Sequence, residues 1–379
     1  MISTPSKHAR LLSLDVFRGI TVMLMIIVNS PGNHTAYRWL EHSDWNGCTL
    51  ADLVFPFFIY VVGISLAFTL SKAQDKGLRF PQLFPAICKR ALYLFAIGLL
   101  LNAFPHHFDF TSLRFYGVLQ RIAICYLVAS WLFLRTSVRT QALIVLALLA
   151  GYYLLMTAVP VPGYGINQLT PTGNWAAFLD RMMFSSSHLY GKVFDPEGFL
   201  STLPAIATAL LGNLTGVWLM SANSPQKKLL GMVSGGLVAL LTGWLWALWF
   251  PINKALWTSS YVLWTGGFAL LMLTICYWLI EIKAWKSWAR PFTIFGLNAM
   301  LAYILHVLFL KIQAMISLPQ ANGTPGNARL YITEHLFGWA SLPNSSLLYA
   351  LAYTLLWLVM LLLLNSFLRA WKKSSLLHS

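Results

Sequence analysis

Ten apolar runs of about twenty residues constrain this chain more than any other feature, because a stretch of that length and polarity crosses a bilayer. They lie near 11–30, 49–70, 87–104, 116–134, 141–158, 201–220, 229–249, 259–280, 292–311 and 346–368 of the 379 residues. Within hydrocarbon every backbone N–H and C=O must find its partner inside the segment, which makes runs of this kind helices. Composition agrees, with 58% of residues hydrophobic and 10% charged, against about 25% charged in soluble domains. The expected fold is an all-α, polytopic membrane helix bundle of about ten transmembrane helices, taken as one domain over 1–379. No cleavable signal is evident, since Met1 to Arg10 is short and leads directly into the first long run.

Ten spans return the chain to its starting side, and the Lys and Arg positions decide which side that is. With a cytoplasmic N-terminus, 17 of the 26 Lys and Arg residues fall in inner segments and seven in outer ones, so both termini are expected in the cytoplasm. The net charge of +15 is then mostly a topology signal and an attraction to anionic lipid. It is no argument for nucleic acid. The acids and imidazoles are distributed the other way. Glu41, Asp44, Asp52, Asp109, Asp180, Asp195, Glu197 and Glu334 lie on or near the outer side, as do His34, His42, His106, His107, His188, His306 and His335. The outer face is expected to be the reaction side. Two outer segments are long, 159–200 and 312–345. Such segments serve as lids or binding loops or as solvated connectors, and 312–345 is expected to be a connector.

An ionised side chain near the bilayer centre is unfavourable by roughly 2.5 to 3.5 kcal/mol, so Asp15, Arg18 and Asp52 need partners or a wet cavity. Asp15 and Arg18, three apart on one helical face, can pair with each other, and pairing is compatible with a binding role. Asp52 opens the second span, where it can orient an imidazole, bind a substrate ammonium, or act only as a carboxylate favoured by the helix macrodipole. The loop before it is crowded with Asn29, His34, Glu41, His42, Asp44 and Trp45. The four cysteines show no CxxC spacing and the histidines no HExxH arrangement, so neither a disulfide framework nor a metal is expected. Phosphate-binding glycine loops, the GxSxG elbow and a transporter-type internal repeat are not found.

SLDVFRG at 13–19, Asn29, HSDWNGCTLADLVFPFF at 42–58, FDPEGFLSTLPAIATALLG at 194–212, PINKALWTSSYVL at 251–263 and PFTIFGLNAMLAYILH at 291–306 follow one another in order. Together they resemble the heparan-alpha-glucosaminide N-acetyltransferase family, and above all its bacterial, NagX-type glucosamine acetyltransferase members. The resemblance covers nearly the whole chain. It implies transfer of an acetyl group from cytosolic acetyl-CoA to the amine of a glucosamine unit across the membrane, here the bacterial cytoplasmic (inner) membrane. It also implies that His42 matches the active-site histidine and Asn29 its neighbouring asparagine. Only ten residues precede the first span, so a sizeable lumenal domain of the kind found in larger members is not expected. A free amino sugar or a short wall-derived saccharide is the natural acceptor.

The chemistry asks for the same residue types. An amine attacking a thioester must lose a proton, and a histidine is the usual base. An amide side chain can donate to the carbonyl oxygen as negative charge develops there. Asp52 completes the expected catalytic set. A second route has His42 itself acetylated before passing the group on; direct transfer is favoured. For coenzyme A phosphates, Arg18, with its neighbour Asp15, and Arg121 are the leading candidates, since an unpaired guanidinium within a span is expensive. Lys89 and Arg90 come next, with topology as the alternative explanation. Asp195 and Glu197, at the outer mouth of the sixth span, suit sugar hydroxyls or an amine, although DPEG is also a helix-start signal. Lys254 suits an anionic or hydroxyl-rich ligand or simply snorkels, beside a Trp257 expected at the interface. His306 is a further substrate-binding candidate, against the ordinary role of a histidine hydrogen-bonded within a bundle.

The expected partners are an amino sugar, acetyl-CoA and membrane lipid, and self-association into a homo-oligomer is compatible with the sequence. The alternatives are an amino-sugar permease without acyl-transfer chemistry and a non-catalytic scaffold. The scaffold has no use for buried charge. A permease tolerates a polar replacement of His42, whereas an acetyltransferase does not.

Overall fold

A computed structural model describes residues 11–105, 109–320 and 323–377. Lys7, Arg10, His106 and His107 lie outside them. The described chain is mostly helical. The helices are α1 (Leu12–Asn29), α2 (Leu50–Asp75), α3 (Phe80–Ala103), α4 (Val118–Arg135), α5 (Val138–Ala158), the short α6 (Trp175–Met183), α7 (Thr202–Met220), α8 (Pro225–Trp246) and α9 (Ser259–Tyr277). There follow α10 (Ala289–Leu297), α11 (Ala299–Met315), a two-stranded hairpin of β1 (Ser317–Pro319) and β2 (Pro325–Asn327), then α12 (Ala328–Phe337) and α13 (Leu342–Leu377). Among the described residues nine helices are long and apolar enough to cross a membrane, with one further bent pair. This is a multi-pass, all-α membrane protein.

The bent pair is the expected span 292–311. It is two helices, α10 and α11, meeting at 70°. Asn298 ends α10, and its side-chain amide donates to the Ile294 carbonyl at 2.8 Å. That bond offers the backbone a local alternative to continuing the helix. Hydropathy is blind to such a break, because both halves remain apolar.

The helices gather into two compact units. One comprises 43–48 and 55–278 and contains most of α2 through α9, with α8 packed on α9, α3 on α4, and α7 against α4 and α5. The α2–α7 crossing is close, since a Cβ at Gly63 or Gly212 would overlap the backbone of the facing helix. The other unit comprises 11–42, 49–54 and 279 onward, with α1 packed on α10, α11 and α13. Here Gly19 and Gly296 allow the backbones of α1 and α10 to touch, a Cβ at either one colliding with a carbonyl oxygen of the other helix. Small residues that admit close backbone approach are how helices pack inside membranes.

The long outer segments carry structure of their own. Segment 159–200 contains α6, whose N-terminus is capped by the Asn174 side chain accepting from Ala177 N at 2.8 Å. Segment 312–345, expected to be a solvated connector, instead holds the end of α11, the hairpin and α12. Thr333 of α12 donates through its hydroxyl to the Gly32 carbonyl at 2.9 Å, tying this segment to the loop that follows α1. Turn-forming composition conceals such an anchor because the partner lies 301 residues away.

Candidate active site

The α1–α2 connection is organised by one carboxylate. Asp52 lies in the first turn of α2 and is wholly buried, and its Oδ2 accepts from the backbone N–H of Thr49 at 3.0 Å and from the Thr49 hydroxyl at 3.2 Å. This satisfies a donor that a helix N-terminus otherwise leaves open. Its other oxygen, Oδ1, lies 2.8 Å from His42 Nδ1. One oxygen thus faces the imidazole and the other the helix end. The Thr49 hydroxyl also donates to the Glu41 carbonyl at 2.6 Å, so the residue before His42 is pinned to the same helix end. A carboxylate can only accept, so in this contact it is His42 Nδ1–H that donates to Asp52. The imidazole side chain is 51% exposed above a carboxylate that is 0% exposed.

His42 lines a cavity of about 270 Å³ together with Val28, Pro31, His34, Leu40, Glu41 and Arg329, at the small end of ligand pockets. Asn29 is the exposed last residue of α1, next to Val28 but outside that lining. The loop around the cavity is tied down. Asn33 accepts from Thr35 N at 2.8 Å and donates to the Leu342 carbonyl at 2.9 Å and the Ser345 hydroxyl at 3.0 Å, while Gly32 N donates to the Ser346 hydroxyl at 3.0 Å. Arg329 enters from the first turn of α12. Nothing in its sequence surroundings marks it.

In the same unit, Arg18 Nη1 donates to Asp15 Oδ1 and to the Gly296 carbonyl, each at 3.2 Å. The expected pairing of Asp15 with Arg18 is present. Glu281 accepts from Ser13 N at 3.0 Å, putting a carboxylate at the positive end of α1. His306 is fully buried on α11. Its Nδ1 donates to the Ala302 carbonyl at 3.1 Å, and it lies outside the lining of the His42 cavity.

A second polar cluster occupies the other unit. Arg114, just before α4, donates from Nε and Nη2 to the two oxygens of Asp195 at 2.7 and 2.6 Å, and from Nη2 to Glu197 as well. Its plane also stands 4.8 Å from the centroid of Tyr190. Burial alone would lower its pKa, but the hydrogen bond to Asp195 and the charge of Glu197 hold it above the ordinary arginine value. Beneath this pair, Asp180 of α6 accepts from Asp195 N at 3.0 Å and Phe199 N at 3.3 Å. Burial pushes the Asp180 carboxyl up to about 6, against the lowering effect of those two N–H groups. Arg121 is 1% exposed in the first turn of α4, where it donates to the Gly198 carbonyl at 3.2 Å and to the Ser201 hydroxyl. Its guanidinium stacks 5.0 Å from the Trp257 ring. Arg114 and Asp180 were identifiable in the sequence only as outer charges, since their partners are 81 and 15 residues away.

The expected interfacial Trp257 is also in this unit, and it is a core residue. It is 1% exposed, donates through Nε1 to the Thr208 hydroxyl at 3.1 Å and packs edge-on against Phe55 and Tyr261. A hydrogen-bond partner inside the bundle removes the indole's reason to seek the interface. Asn253 is buried and bonds Asn46 Oδ1 at 3.1 Å, whereas its neighbour Lys254 is half-buried in the same turn. Among the described residues no group of three His, Cys, Asp or Glu side chains is arranged to hold a metal.

A family model described as "Heparan-alpha-glucosaminide N-acetyltransferase, catalytic" matches residues 10–244. The curated heparan-alpha-glucosaminide N-acetyltransferase of Homo sapiens is 30% identical, over 79% of this chain and 53% of its own length. That of Mus musculus is 30% identical, over 79% of this chain and 54% of its own. The chain spans about half the length of these relatives.

Proposed function

Because the chain belongs to the heparan-alpha-glucosaminide N-acetyltransferase family, we propose that it transfers an acetyl group from cytosolic acetyl-CoA to the amine of glucosamine or a related amino sugar at the outer side of a membrane, with His42 as general base. The membrane is read as a bacterial cytoplasmic membrane, and the whole chain as one acyltransferase domain. The observation that carries the proposal is the 2.8 Å contact between His42 Nδ1 and a buried carboxylate at the wall of a cavity. A base held in one tautomer by a carboxylate is the arrangement that acyl transfer to an amine needs.

In this scheme the amine nitrogen bonds to the thioester carbonyl carbon, its proton passes to His42 Nε2, and the carbon–sulfur bond breaks. The departing thiolate takes the proton back. Asp52 keeps the imidazole oriented and stabilises its protonated form. Asn29 is the proposed donor to the oxyanion. Direct transfer is favoured over an acetyl-histidine intermediate because the Nδ1 bond to Asp52 suits a base that takes up a proton and returns it.

Acetyl-CoA is a substrate of this reaction, and its phosphates call for cations. Arg18 is the proposed contact, with Asp15 presenting it. Arg121 is the weaker choice of the two, since its buried guanidinium already bonds the 198–201 turn. Asp195, Glu197, Lys254 and His306 are proposed acceptor contacts on chemical grounds, the two carboxylates acting through whatever acceptor capacity Arg114 leaves.

The test uses detergent-purified protein with acetyl-CoA, with and without glucosamine, following free thiol release and the mass of the sugar for wild type and His42→Ala. Amine-dependent thiol release with formation of N-acetylglucosamine, lost in the variant, is the expected result. No thiol release with glucosamine or with a panel of amino sugars would sink the proposal and make transport in proteoliposomes the next question.

A further inference from the structure

The His42 cavity holds two opposite charges that are not paired with each other. Glu41, an exposed residue, and Arg329, a half-buried one, both line the same space of about 270 Å³. Among the described residues neither side chain makes an ion pair or a hydrogen bond; the Thr49 hydroxyl bonds the Glu41 backbone carbonyl, and Thr333 the Arg329 carbonyl. The two residues stand on separate elements, Glu41 in the α1–α2 connection, where Thr49 bonds its backbone carbonyl, and Arg329 on α12.

The placement of Arg329 is costly for a cation. It occupies the first turn of α12, where the macrodipole is positive and favours anions. The Asn327 side chain caps that helix end by accepting from Leu330 N at 3.1 Å, which leaves the guanidinium charge uncompensated. A cation held in such a place without an ion pair among the described residues is complementary to an acid that arrives with a ligand.

We infer that Arg329 is a specificity residue for the acceptor, and that the preferred acceptor is zwitterionic: an amino sugar whose own ring carries a carboxylate or phosphate. The ammonium is drawn to Glu41 beside His42, and the acid group to Arg329. This rests on the acyl-transfer proposal above for its amine, but it makes a separate claim about the second charge. Arg329 takes no part in bond making. It positions the sugar, so its removal acts on affinity for one class of acceptor and not on the chemistry common to all.

The experiment measures binding by calorimetry on the full chain in detergent without acetyl-CoA, using glucosamine, glucosamine 6-phosphate and muramic acid. The two acid-bearing sugars should bind about tenfold more tightly than glucosamine, the size of one charge-assisted contact. The advantage should vanish in Arg329→Gln and survive in part in Arg329→Lys, and the sugar with the larger advantage identifies the acid group. Equal affinities in wild type, no binding of the acid-bearing sugars, or an advantage unchanged in Arg329→Gln would each overturn the inference. Inorganic phosphate gives a readout that needs no variant. It should weaken binding of glucosamine 6-phosphate and leave glucosamine untouched, and equal competition against both would count against Arg329. Acetyl transfer absent with the binding preference intact would sink only the acyltransferase proposal, whereas acetyl transfer without the preference would sink only this one.

Discussion

Two carboxylate clusters, one in each unit, use the same residue types to opposite ends. At Asp52 a single buried carboxylate serves an imidazole that is half exposed at a cavity wall. At Arg114 two carboxylates, Asp195 and Glu197, are closed over one guanidinium, and a third, Asp180, is spent on backbone N–H groups. The first cluster leaves an imidazole half exposed at a cavity wall, and the second ties its carboxylates to one guanidinium and to backbone N–H groups.

That contrast breaks most visibly at His42. His42→Ala should lower acetyl transfer by about 10³-fold, the scale of a general base, with acetyl-CoA binding unchanged by calorimetry; a loss under tenfold would remove His42 from the chemistry. In the opposing cluster, Arg114→Ala should leave acetyl-CoA affinity alone and destabilise the protein by about 3–5 kcal/mol, because two carboxylates lose their counter-charge in a buried site. Denaturant titration followed by tryptophan fluorescence reads this, and a stable Arg114→Ala protein would mean that the cluster is solvated.

A smaller effect separates the two roles of Asp52. Asp52→Asn keeps an oxygen for the Thr49 N–H but no longer demands a proton on His42 Nδ1, so turnover should fall about 10²-fold with little change in melting temperature. Equal damage to stability would reduce Asp52 to a helix cap. The smallest effect concerns pH. The Asp180 carboxyl is raised from 3.8 to about 6 in the folded protein, so the fold binds this proton more tightly than the unfolded chain does. Its stabilising contribution is full below pH 4 and declines as pH rises through 6, by about 2–3 kcal/mol. Asp180→Asn should flatten that decline in a series of melting curves from pH 4 to 7.5, and an unchanged slope would assign it to another group.

Much of the architecture is legible in the sequence, because the cost of exposing backbone polar groups to lipid acts locally and sets each span by its own residues. The runs at 11–30 and 201–220 match α1 and α7 to within a residue or two. The pairing of Asp15 with Arg18, three apart on one helix, follows from helical periodicity, and Asp52, ten residues beyond His42, falls at the start of the second span as expected. The bend at Asn298 was not legible, because one side-chain bond to the Ile294 carbonyl redirects a segment whose hydropathy is unchanged on either side.

The sequence by itself determined the membrane-spanning helices, the family, and His42 as the residue to watch. Only the tertiary structure decided which acids are available: that Asp52 turns one oxygen to His42, that Arg114 captures Asp195 and Glu197, and that Arg329 reaches the His42 cavity from 287 residues away along the chain. Span formation is a property of consecutive residues meeting lipid. Charge pairing belongs to residues that folding brings together, and a guanidinium's partner is chosen by distance in space, which no local pattern encodes.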